Sequence, residues 1–83
     1  MKCIKEKNQE IKKSYYEDEM GNNFEIEIVE IIKEYDDGRI TKKYMMEEKE
    51  IGTPYWYIIK ESRNLDTIVK CFDERVQSQT VNK

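Results

Sequence analysis

Phe24–Tyr35, with the sequence FEIEIVEIIKEY, is the longest apolar-rich run in the chain, and turn-forming residues lie on both sides of it. Five of its residues are β-branched, with stiff side chains that suit a pleated surface: Ile26, Ile28, Val29, Ile31 and Ile32. The segment is therefore predicted to be a strand inside a sheet. Its apolar positions change from even to odd near Ile28, which indicates either a bulge there or a strand covered on both faces. A helix is the alternative, but it would turn Ile26 and Val29 to solvent.

Turn signals on both sides predict antiparallel neighbours for this strand. Gly21-Asn22-Asn23 tolerates positive φ and predicts a hairpin that follows an outer strand within residues 11–20. Asp37-Gly38 predicts a two-residue hairpin turn into a strand over residues 39–48. That turn would gather three pairs on one face of the sheet: Tyr35 with Ile40, Ile31 with Tyr44, and Val29 with Met46.

The C-terminal part of the chain supplies the elements that complete the core. The segment YWYIIK, residues 55–60, is apolar on both faces and predicts a further strand. A helix is predicted to begin near Leu65, with Ser62 or Asn64 as its cap. Its apolar residues share one stripe that would cover the sheet: Leu65, Ile68, Val69, Phe72 and Val76.

These elements together predict one α+β domain over residues 11–78, a three- to four-stranded antiparallel meander sheet with one C-terminal helix packed on a face. Residues 1–10 are too weakly periodic to bury a face, so we expect a flexible or loosely helical N-terminal arm there. The polar residues 79–83 are expected to form a frayed tail.

Composition disfavours several classes of function. The chain has 83 residues, of which 40% are charged, and its formal net charge of −3 disfavours non-specific binding to nucleic acid or to an anionic membrane. It contains no histidine, and its two cysteines, Cys3 and Cys71, do not have the spacing of a metal site. No segment is apolar over the length that export or a bilayer span requires. We expect a cytoplasmic, non-enzymatic protein with no membrane partner, catalytic residue, cofactor or metal, in which Cys71 is structural.

Acidic residues give the most informative pattern. With two-residue hairpins at Asn22-Asn23 and Asp37-Gly38, two cross-strand rows would form at one sheet end: Asp18, Glu27 and Glu48 in one, and Met20, Glu25 and Glu50 in the next. Like charges opposite each other destabilise a sheet, so we interpret the rows as a negative patch retained for a protein with a basic surface. The alternatives are a solvated sheet end, or a register one residue away that disperses the charges.

Tyr55, Trp56 and Tyr57 alternate between the two faces at the start of the predicted fourth strand. One interpretation packs at least two of these rings in the core. The other exposes a ring, with Tyr55 and Trp56 as candidate anchors of a partner interface, a role in which both residue types are enriched. Cations expected nearby would also allow the rings to stack on unpaired nucleic-acid bases: Lys42, Lys43, Lys60 and Arg63.

The segment YIIKESRNLDTIVKCF, residues 57–72, passes from a strand ending in Lys-Glu-Ser through a capping Asn into a helix that contains Ile-Val. It resembles short proteins of phages and other mobile elements, some anti-CRISPR inhibitors among them. The resemblance implies a small acidic protein that binds a host defence or replication protein, often by imitating the charge of nucleic acid. Lysines interleaved with the carboxylates depart from a pure nucleic-acid mimic, and no functional residue is assigned from the resemblance.

The predicted function is non-enzymatic protein binding, by a phage or mobile-element inhibitor or regulator that engages a basic host protein surface. The candidate partner-binding residues are Asp18, Glu25, Glu27, Glu48, Glu50, Tyr55 and Trp56. The first alternative is a nucleic-acid-binding module that uses the sheet aromatics and lysines. The second is a self-associating structural protein, a homodimer joined through an exposed sheet edge.

Overall fold

The computed structural model describes residues 2–80, which form a four-stranded antiparallel sheet and one helix. The elements follow in chain order: β1 Cys3–Glu17, β2 Asn23–Tyr35, β3 Ile40–Glu50, β4 Tyr57–Ser62 and α1 Leu65–Thr80. The strands lie in the order β1-β2-β3-β4, and α1 packs across one face. The predicted α+β meander with a C-terminal helix is confirmed.

The central strand β2 lies between β1 and β3 and supplies the middle of the core. Ile26 and Ile28 are fully buried on the face that α1 covers. The pairing of β1 with β2 shifts by one residue at Ile11, which bulges out of β1 opposite Ile28 and Val29. The irregularity predicted near Ile28 therefore lies in the neighbouring strand, while β2 pairs with β3 without interruption.

The β2–β3 hairpin has a three-residue loop, and the predicted two-residue turn is wrong. The Tyr35 N–H donates to the Arg39 carbonyl at 2.8 Å, and the Gly38 N–H donates to the Tyr35 carbonyl at 2.9 Å. Gly38 has a φ of 87°, as expected for a type I turn followed by a residue in the left-handed region. The extra loop residue moves the pairing of the two strands by one position.

This shift changes which side chains share a face. Met46 lies opposite Ile28, and Tyr44 lies opposite Glu30. The predicted pairs of Met46 with Val29, of Tyr44 with Ile31 and of Ile40 with Tyr35 therefore do not form. Met46 and Tyr44 are instead buried under α1 together with Ile28.

The β1–β2 turn is also longer than two residues. The Asp18 carboxylate accepts the Met20 N–H at 3.0 Å and the Asn22 N–H at 2.8 Å, so the side chain itself organises a turn over residues 18–22.

From Cys3 onward, the segment predicted to be an N-terminal arm belongs to β1 and pairs with β2.

The helix packs as its apolar stripe predicts. Asn64 is the cap, because its side-chain oxygen accepts the Thr67 N–H at 3.1 Å. Ile68 and Phe72 are buried against the sheet, and the other members of the stripe pack around them. The helix extends to Thr80, and the rest of the predicted frayed tail, residues 81–83, lies outside the described residues. No helix within residues 2–80 combines the length and apolar character needed to cross a membrane.

The molecule is elongated, because α1 covers only part of a long sheet. The principal extents are 51 × 27 × 15 Å, and the radius of gyration is 15.0 Å, whereas a compact chain of this length would have about 12 Å. No side chain in residues 3–10, 29–35 or 40–43 is buried. We call these three segments the outer half of the sheet.

Candidate functional site

Two connections lie side by side at the end of the sheet opposite the β2–β3 hairpin. The Ile51 N–H of the β3–β4 connection donates to the Asn23 carbonyl beside the β1–β2 turn, at 2.9 Å. The Thr53 hydroxyl donates to the Glu50 carbonyl at 2.8 Å, which fixes the start of that connection. We call the surface formed by residues 17–25 and 49–57 the turn end.

The turn end exposes several large apolar side chains. Met20 is 86% exposed, Tyr55 67%, Tyr57 63% and Ile51 52%. Trp56 is half-buried, and the Lys49 ammonium group lies 5.1 Å from the centre of its ring, close enough for a cation–π interaction. The interpretation that places at least two of the three rings in the core is wrong, because Tyr55 and Tyr57 are exposed and Trp56 is only half-buried.

Carboxylates also belong to the turn end, but they do not form the predicted rows. Asp18 and Met20 lie in the turn and pair with no strand residue. Glu25 faces Tyr15 and Lys49, whereas Glu50 faces Phe24 on the other side of the sheet. Both hairpin loops are longer than predicted, and so the charges are dispersed over two faces.

Glu48 is buried in the core and is not part of an exposed patch. It is 8% exposed and lies opposite Ile26. The Tyr16 hydroxyl donates to its Oε1 at 2.6 Å, and Arg75 donates to both carboxylate oxygens at 2.8 Å. Burial alone would raise the pKa of Glu48, but the hydrogen bonds from Arg75 and Tyr16 outweigh it and hold this pKa below its usual value.

The contact with Glu48 also raises the pKa of Arg75 and that of Tyr16. Burial and the bond to Glu48 raise the pKa of Tyr16 to about 12.

The sequence signal for this cluster is the position of Arg75, which comes three residues after Phe72 and so lies on the covered face of α1. We did not identify Arg75 from the sequence, because a cation beside an apolar stripe is also typical of a solvated helix edge.

Glu27 belongs to a second carboxylate cluster, on the face that α1 leaves open. It lies opposite Glu47 on β3 and Lys13 on β1. Burial, hydrogen bonding with Glu47 and Glu10, and the charge of Glu47 raise the pKa of Glu27 to about 7. Lys13 bonds Glu25 at 2.9 Å and lies 3.4 Å from Glu10. The cluster is thus partly neutralised from within at neutral pH.

Three of the four cations proposed to assist base stacking do not lie beside the aromatic rings; the fourth, Lys60, belongs to β4, three residues after Tyr57. Lys43 faces Ile31 in the outer half of the sheet, whereas Tyr57 faces Glu48 near the turn end. Five residues of β3 separate the two rows, or about 17 Å. The predicted combination of Lys42, Lys43 and Arg63 with exposed rings therefore does not form.

Within residues 2–80, no group of three or more Cys, Asp and Glu side chains is arranged to hold a metal ion. Cys3 is exposed, and Cys71 packs at the edge of the core. Comparison of the chain with models of known protein families, with curated proteins and with solved structures found no match.

Proposed function

We propose that the chain is a non-enzymatic protein-binding domain that uses the turn end to engage a partner with a basic surface. The observation that carries this proposal is that the turn end combines exposed apolar side chains and carboxylates on a hydrogen-bonded backbone. Met20, Ile51 and Tyr55 supply the apolar part, and Glu19 and Glu50 are among the acids beside it.

This composition is that of a protein interface. Energetically important interface residues are often aromatic or apolar anchors, and the polar residues around them exclude water and orient the partner. Carboxylates at such a rim accelerate association with a basic partner and select against acidic ones. Since the turn backbone is fixed by the Asp18 and Thr53 hydrogen bonds, these anchors need little ordering on binding.

This proposal retains only some of the predicted partner-binding residues. Asp18, Glu25, Glu50, Tyr55 and Trp56 remain candidate contacts because they belong to the turn end. Glu48 is enclosed by Tyr16 and Arg75, and Glu27 belongs to the separate cluster on the open face. The resemblance of residues 57–72 to phage and mobile-element proteins supports a role as an inhibitor or regulator of a host protein.

Self-association through the sheet edge receives less support. The sheet has two edge strands: β4, which offers an edge of only 6 residues, and β1, which is 15 residues long. β1 is interrupted by the bulge at Ile11 and carries lysines, including Lys5, Lys7 and Lys12, and both features discourage the addition of another strand.

The test is affinity capture from lysate of the source cells, with and without nuclease, comparing three tagged proteins. The wild type and the control Glu74→Lys, an exposed change on α1, are expected to capture the same protein after nuclease treatment. The double variant Glu50→Lys/Tyr55→Ala is expected to capture at least tenfold less, because it removes an anchor and reverses a rim charge. Equal capture by all three proteins, or capture that disappears with nuclease, would contradict the proposal.

A further inference from the structure

A second surface of defined chemistry lies at the opposite end of the molecule from the turn end. On the open face of the outer half, a groove of about 170 Å³ is lined by three cations, Lys33, Lys43 and Arg63. Lys42 also borders the groove, but its side chain lies on the other face of the sheet, beside Glu30. Tyr35, Thr41 and Ile31 complete the lining, so that no carboxylate lines the groove.

The strand pairing places these groups together. Lys33 and Tyr35 lie two residues apart on β2, so their side chains share one face of the sheet. Thr41 lies directly opposite Lys33 on β3. Lys43 lies two residues further along the same face. Arg63 follows Ser62, the last residue of β4, which is opposite Tyr44, and so Arg63 comes next to Lys43.

The cations of the groove have more N–H donors than the neighbouring carboxylates occupy. The Lys33 ammonium is 3.9 Å from Glu6, a distance too long for a direct hydrogen bond. Lys43 bonds Glu61 at 2.7 Å, which occupies one of its three N–H donors. Among the described residues, Arg63 has no ion-pair partner.

We propose that this groove binds a phosphate group. A guanidinium group donates two parallel hydrogen bonds to phosphate oxygens, and ammonium groups add point charges that suit a dianion. The hydroxyls of Tyr35 and Thr41 supply further donors. The volume of the groove corresponds to roughly five or six water molecules, which is enough for one phosphate group.

This site is independent of the proposed protein interface. It lies on a different part of the sheet and shares no residue with the turn end. Its ligand is a phosphate-bearing molecule, for which a free phosphate, a nucleotide or a nucleic-acid backbone supplies the same chemistry. The net charge of −3 restricts the attraction to this local patch.

The test is a titration of the ¹⁵N-labelled chain followed by amide chemical shifts at constant ionic strength. Inorganic phosphate, adenosine monophosphate and a short oligothymidylate are added separately. Saturable shifts centred on Thr41, Lys43 and Arg63 are expected with phosphate and the monophosphate, and tighter binding of the oligonucleotide would identify nucleic acid as the source. Absence of saturable shifts in the groove up to tens of millimolar phosphate would overturn the proposal.

Two variants test whether the binding belongs to the groove. Arg63→Glu is expected to weaken phosphate binding at least tenfold, whereas Lys70→Glu, the same charge change on exposed α1, is expected to preserve it. Lys33→Gln provides a second groove variant if Arg63→Glu does not fold, as judged by circular dichroism. Equal loss in Lys70→Glu would show that attraction is general and that no site exists in the groove.

Discussion

Replacement of Arg75 by alanine is the most direct test of the core, because it leaves the buried Glu48 carboxylate without its cation. The variant loses two charge-assisted hydrogen bonds of 2.8 Å and keeps only the bond from Tyr16. The remaining negative charge is enclosed by apolar side chains, including Ile26 opposite it. We therefore expect destabilisation without a change of fold.

The magnitude follows from the exposure of the pair. Breaking a fully buried ion pair costs about 3–5 kcal/mol. The Arg75 side chain is 33% exposed and that of Glu48 is 11% exposed, so solvent screens part of the interaction. We expect a loss of about 2 kcal/mol, from a total stability of about 4–12 kcal/mol for a chain of this length. The melting temperature should fall by about 10 °C.

The dependence on pH identifies the cause. In the wild type the pKa of Glu48 is lowered, so its stabilising contribution is complete above the unfolded pKa near 4.5 and is lost as the pH falls further. Without Arg75, burial dominates and raises the pKa of Glu48. Glu48 of the variant therefore takes up a proton at a higher pH than in the wild type, and this removes the cost of its buried charge. The gap in melting temperature between the two proteins should therefore narrow from pH 7 to pH 4.

The assay is thermal unfolding followed by circular dichroism, with Arg75→Ala/Glu48→Gln as the control. The double variant should be more stable than Arg75→Ala at pH 7, because a neutral amide needs no cation. An unchanged melting temperature for Arg75→Ala, or a gap that stays constant down to pH 4, would refute the assignment of Glu48 as a buried, ionised group held by Arg75.

Two further changes test the open face and the β2–β3 hairpin. Because the pKa of Glu27 is raised to about 7, the folded state retains a proton between the unfolded pKa of 4.5 and this value, and stability is lost as the pH rises through that window. Thermal melts at pH 5 and pH 8 should show a loss of about 1 kcal/mol after solvent screening, and Glu27→Gln should remove this dependence; an equal loss in the variant would contradict it. Gly38→Ala should cost about 1 kcal/mol in denaturant unfolding because of the positive φ, and Gly38→Asn should cost less. Equal stability of all three Gly38 proteins would show that the loop adopts another conformation.

The elements of the fold were predictable because their signals are local. β-branched residues identify β2, and the stripe from Leu65 to Val76 with a capping Asn identifies α1. The N-terminal strand was missed for a physical reason. Residues 3–10 of β1 bury no side chain and are held by backbone pairing with β2, which leaves no periodic pattern in the sequence.

The candidate site was predicted less well, because it depends on register. Asp37-Gly38 fits a two-residue turn and equally the last two positions of the three-residue loop that forms. The difference of one residue moved Glu48 into the core and separated it from Glu27. Asp18 had a similar effect, since its carboxylate organises a longer turn than the adjacent Asn residues predict. The sequence still places Glu25, Glu50, Tyr55 and Trp56 near one end of the sheet, as in the structure.

The absence of buried side chains in the outer half has a consequence for local stability. Its three strands are connected by backbone hydrogen bonds, so they can open without disturbing Phe72 or Ile26, and their amides should exchange with solvent faster than those beneath α1. An anion held by Lys33, Lys43 and Arg63 would join β2, β3 and the end of β4. Its binding would then slow exchange in the outer half selectively, and the most weakly protected part of the domain would become responsive to ligand.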